Sequence, residues 1–484
     1  MNVYIDKMIP KILHQLWIGP KNPPINMMNT WKEKHPDFEY IFWNEDEILK
    51  RNMIFQCQKE IDEMPEYNGK ADIMRWEILY KYGGYFVDAD SICIEPFDEY
   101  FYGCTAFATF ENEIVRSQLV ATGTMGFIPK YPMCKDIIDW ILTDDYNVMN
   151  KNVRAWGTVG PGAITRFLKT GKYKDFSVFP SHCFLPIHFT GLVYTGHKKV
   201  YAYQAWGTAN NNYDDMDKIT IPPQLREPRF SVSVLIPSYN TPQLYLRECL
   251  DSIKLQEGHF FIEIIWINDG SNDECSRILE KELDFFMKTS RFCKIKYHKF
   301  ENNMGVSYSL NYGIKLCSNE LIFRMDSDDI MLPERIQKQI DFMKNTKNCV
   351  ICGSNIQMFS NYNPNNPKEK TFLSKTEHVS QLTWNDFLNK LPKWFMNHPT
   401  ICFRKSAVLS VGNYNINHGA DYVLEDYELE LKLMKKYLVV YNLDDVLVLY
   451  RLHKNQVTNS DLLTSGNFIQ LRNNIIRDVI SNNL

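Results

Sequence analysis

The sequence predicts an α/β protein built from two mainly parallel sheets in tandem. Short apolar runs rich in β-branched and aromatic residues alternate with helical patterns in both halves of the 484-residue chain. A Pro-rich polar segment separates the two halves. In each half, one apolar run ends on a pair of aspartates. Alternating strands and helices favour a parallel sheet covered by helices, and the length suits two large domains.

The first predicted domain covers residues 1–220. It opens with a strand-like run, Ile12 to Ile18, and continues with the helical pattern "KADIMRWEILYKYG". A Gly-Gly turn then leads into the apolar run Tyr85 to Val87 in "YKYGGYFVDADSIC". We expect this run to be a buried strand whose end carries Asp88 and Asp90.

A linker is predicted at 221–229, in "ITIPPQLREPRFSVSVLIPSYN", and a second domain at 230–460. The β-branched run Val232 to Ile236 begins that domain. Strands and helices then alternate, with strands at 232–236, 262–267, 294–298 and 320–325 and helices at 243–256, 272–289 and 305–317. The tail, 461–484, has helical apolar spacing.

Charge, hydrophobic runs and cysteine usage argue against a nucleic-acid-binding protein and a membrane-spanning protein. The net charge of -4 and pI near 6.3 give no basic footprint for nucleic acid. No run approaches the roughly 20 apolar residues of a membrane span, and the N-terminus lacks a signal-peptide pattern. Twelve scattered cysteines fit a reducing compartment, so we expect a cytoplasmic location. The sequence leaves open whether the chain forms a homo-oligomer.

The paired acids predict metal chemistry. Asp88 with Asp90, and Asp326 with Asp328, each follow an apolar run. Ligands of parallel sheets bind beyond the carboxyl ends of the strands. Two carboxylates one residue apart can bind one hard cation, Mn²⁺ or Mg²⁺, which can neutralise a diphosphate. A solvated turn would explain one such pair, but two pairs in the same setting favour the metal.

One helical face leads toward the first acid pair. Asp72, Arg75, Trp76 and Leu79 are spaced i, i+3, i+4 and i+7. A surface ion pair would explain Asp72 and Arg75. The alternative is that both face the crevice and bind sugar hydroxyls.

The blocks "IPKILHQLWIG", "KADIMRWEILYKYGGYFVDAD" and "GTVGPGAITRFL" resemble the family 32 glycosyltransferases with the D-x-D motif (Och1-like enzymes), over about residues 9 to 210. The resemblance implies a GT-A fold, a nucleotide-sugar donor and transfer with retention at the anomeric carbon. It implies that Trp17 lies against the nucleotide and that Asp72 and Arg75 hold the donor sugar. It also implies that Asp88 and Asp90 bind metal and ribose.

The chain departs from this family at one block. The family often has a His before "W-x-G-S-W", whereas "YAYQAWGTAN" has Gln204 and Asn210 at those places. The departure puts metal binding from that end in doubt. His14 fits a core histidine and a ligand equally.

The second half resembles the family 2 glycosyltransferases. The motifs "SVLIPSYN", "WINDGSND", "NNMGVSYSLNYG", "RMDSDDIMLPER", "NHPTICFRKSAV", "LEDYELELKL" and "YRLH" occur in that family's order between residues 231 and 453. The resemblance implies three groups of site residues. Pro237, Tyr239 and Asp269 would cradle the base and ribose. Asp326 and Asp328, with Asp329 in support, would hold the metal. Arg451 would contact the donor diphosphate and His453 the metal, and a structural role is equally open for these two residues.

The pair Glu425 and Asp426 opens a predicted helix in "YVLEDYELELKLMKK". Acids in a first turn favour the helix dipole and need no further role. In family 2, however, this pair lies beneath the acceptor and its Asp is the general base. An inverting transfer needs such a base to deprotonate the acceptor hydroxyl.

These observations predict a bifunctional glycosyltransferase with a retaining N-terminal and an inverting C-terminal domain. We expect one Mn²⁺ or Mg²⁺ per domain, nucleotide-sugar donors such as UDP-hexoses, and a glycan or protein hydroxyl acceptor. Two alternatives remain open: an N-terminal domain that only binds the acceptor, and a two-site polysaccharide polymerase. Haloacid-dehalogenase-like phosphohydrolases are disfavoured, because Ile92 and Ile330 stand where those enzymes need Thr.

Overall fold

The computed structural model describes residues 8–150, 153–210, 213–360, 370–392, 394–416, 424–454 and 466–481. The chain forms two compact units. Unit 1 comprises Met1–Tyr194 and Lys199–Arg226, and unit 2 comprises Thr195–Lys198 and Glu227–Leu484.

Unit 1 is built on a six-stranded sheet and a two-stranded sheet. The strands are β1 (Ile12–Leu16), β2 (Glu39–Trp43), β3 (Gly84–Val87), β4 (Ser91–Cys93), β5 (Ala106–Asn112), β6 (Arg116–Phe127), β7 (Phe176–Phe179) and β8 (Ala202–Gln204). The larger sheet has the order β2-β1-β3-β6-β5-β7, and β4 pairs with β8. Pairing is parallel along β2-β1-β3 and between β5 and β7, and antiparallel elsewhere.

Helices cover this sheet. They are α1 (Ile25–Lys34), α2 (Glu45–Lys50), α3 (Gln58–Glu63), α4 (Tyr67–Tyr82), α5 (Glu99–Tyr102), α6 (Pro132–Ile141), α7 (Asp144–Asn150), α8 (Ala155–Thr158), α9 (Pro161–Leu168) and α10 (Gly207–Asn210). The buried side of α4 packs into a core with Trp76, Ile78 and Leu79 fully buried.

The turn from α4 into β3 places the first acid pair. Gly83 and Gly84 both have positive φ, at 64° and 93°, which side chains with a Cβ rarely adopt. A Cβ on Gly84 would also lie 2.6 Å from the Ile12 carbonyl oxygen. The chain can therefore reverse tightly and enter β3, whose four residues are all buried, and Asp88 follows at its carboxyl end.

Unit 2 is built on one large sheet. Its strands are β9 (Ser231–Ser238), β10 (Phe261–Asn268), β11 (Cys293–Lys299), β12 (Leu321–Arg324), β13 (Ile330–Met331), β14 (Ile351–Ser360), β15 (Thr371–Lys375), β16 (Gln381–Thr383), β17 (Cys402–Arg404) and β18 (Val439–Arg451). The order is β11-β10-β9-β12-β17-β14-β18-β13, with β15 beside β14 and β16 beside β18. The first four strands are parallel, and β17 joins β12 antiparallel.

The helices of unit 2 are α11 (Gln243–Lys254), α12 (Asp273–Thr289), α13 (Val306–Leu316), α14 (Arg335–Asn345), α15 (Trp384–Lys390), α16 (Lys405–Ser410), α17 (Glu425–Tyr437) and α18 (Gly466–Ser481). The alternation predicted for 232–325 is confirmed, from β9 through β12. The helical spacing of the tail corresponds to α18; residues 461–465 and 482–484 lie outside the described residues.

A four-residue segment, Thr195–Lys198, belongs to unit 2 although it precedes the last part of unit 1 in sequence. His197 is fully buried there. Its backbone N–H donates to the Lys254 carbonyl, and its ring nitrogens lie 2.8 and 3.0 Å from the carbonyl oxygens of Gln256 and Phe260. Lys198 forms an antiparallel bridge with Ser290.

The predicted α/β class, with two sheets in tandem, is confirmed. In each large sheet, parallel strands occupy one end of the strand order: β2-β1-β3 in unit 1 and β11-β10-β9-β12 in unit 2. The antiparallel strands that extend both sheets were not predicted from the sequence. All twelve cysteines are free thiols. Among the described residues, we find no helix with the length and apolar character required to cross a membrane.

Candidate active sites

The first acid pair lies beyond the buried strand β3. The Asp88 N–H donates to the Gly123 carbonyl at 2.7 Å, and the Ala205 N–H donates to the Asp90 carbonyl at 2.9 Å. A Cβ on Gly123 would lie 2.9 Å from Asp88 Oδ2. This glycine therefore lets the backbone of β6 approach the carboxylate closely.

Arg75 is the cation at this site. Its guanidinium donates to Asp88 Oδ1 at 2.7 Å and to the Thr122 carbonyl, and it lies over the Phe86 ring, 4.6 Å from the centroid. Its Nη1 is 3.5 Å from Asp72 Oδ1. Arg75 and Asp72 are 5% and 7% exposed, so a surface ion pair is the wrong interpretation of these two residues.

Asp72 is almost completely shielded from solvent. Burial raises its pKa to about 7, against the opposing effect of Arg75. A Cβ on Gly160 would lie 2.4 Å from Asp72 Oδ2, so Gly160, one of three glycines in "GTVGPGAITRFL", makes room for this carboxyl. The block singled out in the sequence thus has a steric reason for this glycine.

Gln204 joins the two acids of the D-x-D motif. Its side-chain Nε2 donates to Asp90 Oδ1 at 2.6 Å and to Asp88 Oδ2 at 3.5 Å. The Gly207 backbone N–H donates to Asp90 Oδ2 at 2.8 Å. Burial raises the pKa of both carboxyls, that of Asp90 to about 6. Asn210 is used differently, donating from its amide to the Ala205 carbonyl at 2.9 Å.

Trp17 pairs with a second aromatic residue, Tyr213, with the ring centroids 5.8 Å apart in an edge-on arrangement. Its indole N–H donates to the Lys21 carbonyl at 2.7 Å. Tyr213 is close enough to Asp90 and Asp88 for their charges to raise the pKa of its phenol, after the larger effect of burial. Sequence reasoning missed Tyr213, because nothing in "NNYDDMDK" marks it as a site residue.

His14 is a core histidine. It is fully buried, with Nε2 2.8 Å from the Gly83 carbonyl oxygen, while Nδ1 accepts a hydrogen bond from the Trp43 indole at 3.0 Å. Burial lowers its pKa to about 4, so the ring is neutral. Of the two sequence interpretations of His14, the structure supports core packing.

The second acid cluster has the donor set of a metal site. Asp326, Asp328 and Asp329 each present an oxygen, and these oxygens all lie within 4.8 Å of one another. Among the described residues, Asp329 Oδ2 is buried without a hydrogen-bond partner. Carboxylate oxygens with one neighbouring imidazole suit Mn²⁺ or Mg²⁺. The residues present therefore fit a divalent ion.

His453 lies beside this cluster, with Nε2 2.8 Å from Asp328 Oδ2, but the ligand atoms that lie within 4.8 Å of one another belong to the three aspartates. Arg451 has a supporting position instead. It is fully buried, with Nε donating to the Asp328 carbonyl and Nη2 to Glu248, both at 2.6 Å. Its backbone N–H donates to Asp329 Oδ1 at 2.8 Å. These contacts orient the loop that bears the acids, and we interpret Arg451 as a positioning residue.

The residues predicted to bind base and ribose lie at the carboxyl ends of β9 and β10, which are adjacent parallel strands. Pro237 is buried within β9, and Tyr239, just after the strand, is 53% exposed. The Asp269 N–H donates to the Ser238 carbonyl at 2.8 Å, which joins the two strand ends. Asp269 Oδ1 accepts from the Met304 N–H at 2.8 Å, and burial raises the pKa of this carboxyl. Tyr239 thus presents an accessible ring directly after Ser238, the residue to which the buried Asp269 is hydrogen-bonded.

Glu425 and Asp426 open α17 at its N-terminus. Burial raises the pKa of Asp426 to about 6 and that of Glu425 to about 8, and the neighbouring Asp426 charge adds to the shift of Glu425. Asp326 is near enough to raise both values further. Glu425 Oε2 is buried without a partner among the described residues. The metal cluster and the predicted base therefore share one site.

A buried arginine that sequence reasoning missed connects these acids. Arg324 ends β12, is 6% exposed, and donates to Asp326 Oδ2. Its charge also acts on Glu425 and Asp426, lowering the pKa of each against the effect of burial. The signal was present in "LIFRMDSDD", where a basic residue interrupts an apolar strand directly before the acids.

A second network missed in the sequence lies one turn along α17. Glu430 Oε1 is 3.2 Å from His398 Nδ1, and Tyr414 O–H is 3.0 Å from His398 Nε2. Burial lowers the pKa of His398 well below its usual value and raises that of Glu430 well above. These residues come from separate elements, and their proximity could not be inferred from spacing.

Comparison with protein families matches both units. The description "Glycosyl transferase family 2" matches residues 233–409, which include Asp269, Asp326 and Asp328. The description "Glycosyltransferase sugar-binding region containing DXD motif" matches residues 24–105, which include Asp88 and Asp90.

Individual proteins similar to this chain are also glycosyltransferases. The amylovoran biosynthesis glycosyltransferase AmsE of Erwinia amylovora is 30% identical over 226 residues, 46% of this chain and 77% of the relative. The UDP-Gal:alpha-D-GlcNAc-diphosphoundecaprenol beta-1,3-galactosyltransferase of Escherichia coli is 32% identical over 229 residues, 47% and 75% of the two chains. The bifunctional glycosyltransferase pgtA of Dictyostelium discoideum is 30% identical over 225 residues, 40% of this chain and 28% of the relative. The chain therefore belongs to the family 2 glycosyltransferases and carries, in its N-terminal unit, a second glycosyltransferase sugar-binding region with a DXD motif.

Proposed function

We propose that the chain is a bifunctional glycosyltransferase in which each unit transfers a sugar from a nucleotide-sugar donor. The observation that carries the proposal is that each unit assembles its own cluster of acids, with its own buried arginine, beyond the end of its own buried strand. Asp88 and Asp90 pair with Arg75 in unit 1, and Asp326 pairs with Arg324 in unit 2.

In unit 2 the donor would lie between the exposed Tyr239 and the acid cluster. Tyr239 offers a face on which a base can stack, and Asp269 closes the adjacent strand end. Asp326, Asp328, Asp329 and His453 would hold a divalent ion, which when bound supplies positive charge against the diphosphate leaving group. Arg451 keeps the acid loop in position through Asp328 and Glu248.

Asp426 is the proposed general base of unit 2. Its carboxylate would take the proton from the acceptor hydroxyl as that oxygen bonds to the anomeric carbon and the bond to the diphosphate breaks. Attack from the face opposite the leaving group inverts the configuration. A pKa of about 6 suits this role, since the carboxyl is ionised at neutral pH and more basic than an ordinary aspartate. Glu425 and Arg324 set its electrostatic surroundings.

In unit 1, Asp72 and Arg75 are proposed to hold the donor sugar, with Trp17 and Tyr213 against the nucleotide. The buried acid and guanidinium can recognise hydroxyl groups through directed hydrogen bonds. Because unit 1 resembles the family 32 glycosyltransferases, we expect it to transfer the sugar with retention at the anomeric carbon. This expectation is tested by the anomeric configuration of the product.

We infer UDP-hexoses as the donor class and a glycan or protein hydroxyl as the acceptor class. The relative from Escherichia coli, named for transfer of galactose from UDP-Gal, supports this choice for unit 2.

A second candidate function concerns unit 1 alone. In unit 1 all four carboxylate oxygens of the D-x-D motif accept hydrogen bonds, two of them from Gln204, whereas in unit 2 Asp329 Oδ2 has no partner among the described residues. This observation favours a unit 1 that binds the acceptor glycan and leaves transfer to unit 2.

A screen of nucleotide sugars tests the proposal. The intact chain is incubated with single UDP- and GDP-sugars, with and without Mn²⁺, and release of UDP or GDP is measured. We expect turnover of at least one UDP-hexose, and the part that belongs to unit 2 should fall by about 10² or more in Asp426→Asn when acceptor is present. Turnover that survives in the Asp326→Ala, Asp328→Ala double variant would belong to unit 1. If that variant is folded but turns over none of the donors, unit 1 is the acceptor-binding module.

A further inference from the structure

The four carboxylate oxygens of the D-x-D motif in unit 1 all accept hydrogen bonds from the protein. Arg75 donates to Asp88 Oδ1 at 2.7 Å, and the Gly207 N–H donates to Asp90 Oδ2 at 2.8 Å. The two remaining oxygens, Asp88 Oδ2 and Asp90 Oδ1, face each other across the amide of Gln204, at 3.5 and 2.6 Å from its Nε2. The amide lies between the carboxylates, where a shared cation would be bound.

The orientation of this amide follows from its contacts. A nitrogen that carries two protons can donate to both acids, whereas the amide oxygen at 2.6 Å from a carboxylate would bring two acceptors together. In that position the nitrogen faces the acids, and an amide nitrogen has no lone pair for a metal. An entering cation would have to displace a short hydrogen bond at a buried site.

Unit 2 provides an internal comparison. There three carboxylates present oxygens within 4.8 Å of one another, and the imidazole of His453 lies 2.8 Å from Asp328. In unit 1, among the described residues, no third carboxylate, imidazole or thiol joins Asp88 and Asp90 at ligand spacing. The same chain thus has one set of donors suited to a divalent ion and one whose third member is a neutral amide.

Arg75 supplies positive charge at the unit 1 site. Its guanidinium contacts Asp88 directly and lies 3.5 Å from Asp72. Unit 2 has an ion pair of the same kind, between Arg324 and Asp326, so the buried arginine does not distinguish the two sites. The difference lies in the ligand set: unit 2 has a third carboxylate where unit 1 has an amide.

We infer that unit 1 works without a divalent cation, with the Gln204 amide in the place of the ion and Arg75 supplying the positive charge, so that the chain binds one such ion, in unit 2. The inference rests on the proposed function only for the ion in unit 2. It replaces the expectation of one ion per domain. A nucleotide sugar or a neutral glycan bound in unit 1 would be held by the protein's own donors.

Counting bound Mn²⁺ tests the inference without reference to transfer. Electron paramagnetic resonance of the free ion, in the presence of UDP, gives the number of ions bound per chain. We expect one in the wild-type chain and none in the Asp326→Asn, Asp328→Asn double variant, in which unit 1 is intact. An ion bound to the double variant that is lost when Asp88→Asn is added would overturn the inference. An ion that survives Asp88→Asn lies outside unit 1; it would contradict the count of one ion per chain and agree with a unit 1 that binds none.

Substitution of Gln204 tests the role of the amide. Gln204→Glu keeps the shape and replaces the donor with a third carboxylate, so in the double-variant background we expect one Mn²⁺ per chain to be gained. Gln204→His provides a second ligand type if Gln204→Glu does not give the circular dichroism spectrum of a folded chain. If folded chains with either substitution gain no ion, the amide is not what excludes the metal. A failed nucleotide-sugar screen would leave these counts unchanged, which separates the two proposals.

Discussion

Replacing the proposed base, Asp426→Asn, should stabilise the protein while it removes transfer by unit 2. The carboxyl opens α17 in a half-buried position, and burial raises its pKa from 3.8 to about 6. At neutral pH the folded chain must therefore hold a charge that its surroundings disfavour. Asparagine keeps the shape and an oxygen that can accept from the Tyr427 N–H, but it carries no charge.

The size of the effect follows from the pKa. Between pH 3.8 and about 6 the unfolded chain has released the proton that the folded chain still holds, so unfolding becomes easier as the pH rises. Above pH 6 the accumulated destabilisation is about 3 kcal/mol, since one pKa unit corresponds to about 1.4 kcal/mol. Asp426→Asn should recover up to this amount at pH 7, about 2–4 °C in Tm per kcal/mol for a unit of this size.

Calorimetric melting at pH 4 and pH 7, in EDTA so that no bound ion neutralises the site, measures the effect. The variant should match the wild type at pH 4 and melt higher at pH 7. Asp273→Asn is the matched control, because Asp273 opens α12 as Asp426 opens α17 but has a side chain that is 96% exposed. We expect this control within about 0.5 kcal/mol of the wild type.

Transfer by unit 2 should fall by about 10² or more in Asp426→Asn, with the affinity for the nucleotide sugar almost unchanged. If the variant is no more stable than the wild type at pH 7, the ionised Asp426 carboxylate does not destabilise the folded state. Equal loss of donor affinity would show that the residue holds the donor rather than the acceptor proton.

Chelation with EDTA should stop transfer by unit 2, and added Mn²⁺ or Mg²⁺ should restore it; full turnover after confirmed metal removal would contradict the ion site. The rate of transfer by unit 2 at saturating donor should rise with pH through about 6, because Asp426 loses its proton there. If the residual rate of Asp426→Asn rises with pH in the same way, the rise belongs to another group. Asp88→Ala with Asp90→Ala should remove one glycosyl addition and leave the other, and Asp326→Ala with Asp328→Ala should do the converse, each step being read as one hexose by mass spectrometry. Mixing the two double variants should restore the doubly extended product; loss of both additions in either folded variant would refute independent sites.

The strand-end acids could be predicted because strand and acids are continuous in sequence. The run before Asp88 and the run before Asp326 are apolar and short, and parallel strands place their ends at one edge of the sheet. The base Asp426 required the family resemblance, since an acid in a first helical turn is ordinary.

Side-chain direction could not be predicted. For Arg451 the sequence left a diphosphate contact and a structural role equally open, and its guanidinium lies buried against the Tyr245 and Phe359 rings, 4.1 and 4.6 Å from their centroids. Arg324 reads in sequence as one polar residue in a strand. Its importance lies in acids that approach it from α17, far along the chain. Contacts between distant segments decide both cases, and local patterns do not contain them.

The segment Thr195–Lys198 has a consequence for how the protein is made. The ribosome delivers these four residues before any other part of unit 2, and their partners from Lys254 to Ser290 emerge only later. A chain that starts at residue 227 would lack this segment, so the Lys254 carbonyl would lose the backbone N–H of His197, and the carbonyls of Gln256 and Phe260 would lose the imidazole ring that contacts them. A protease that cuts within 221–229 would leave unit 2 assembled from two polypeptides, whereas a gene truncated at the same point would omit one of them.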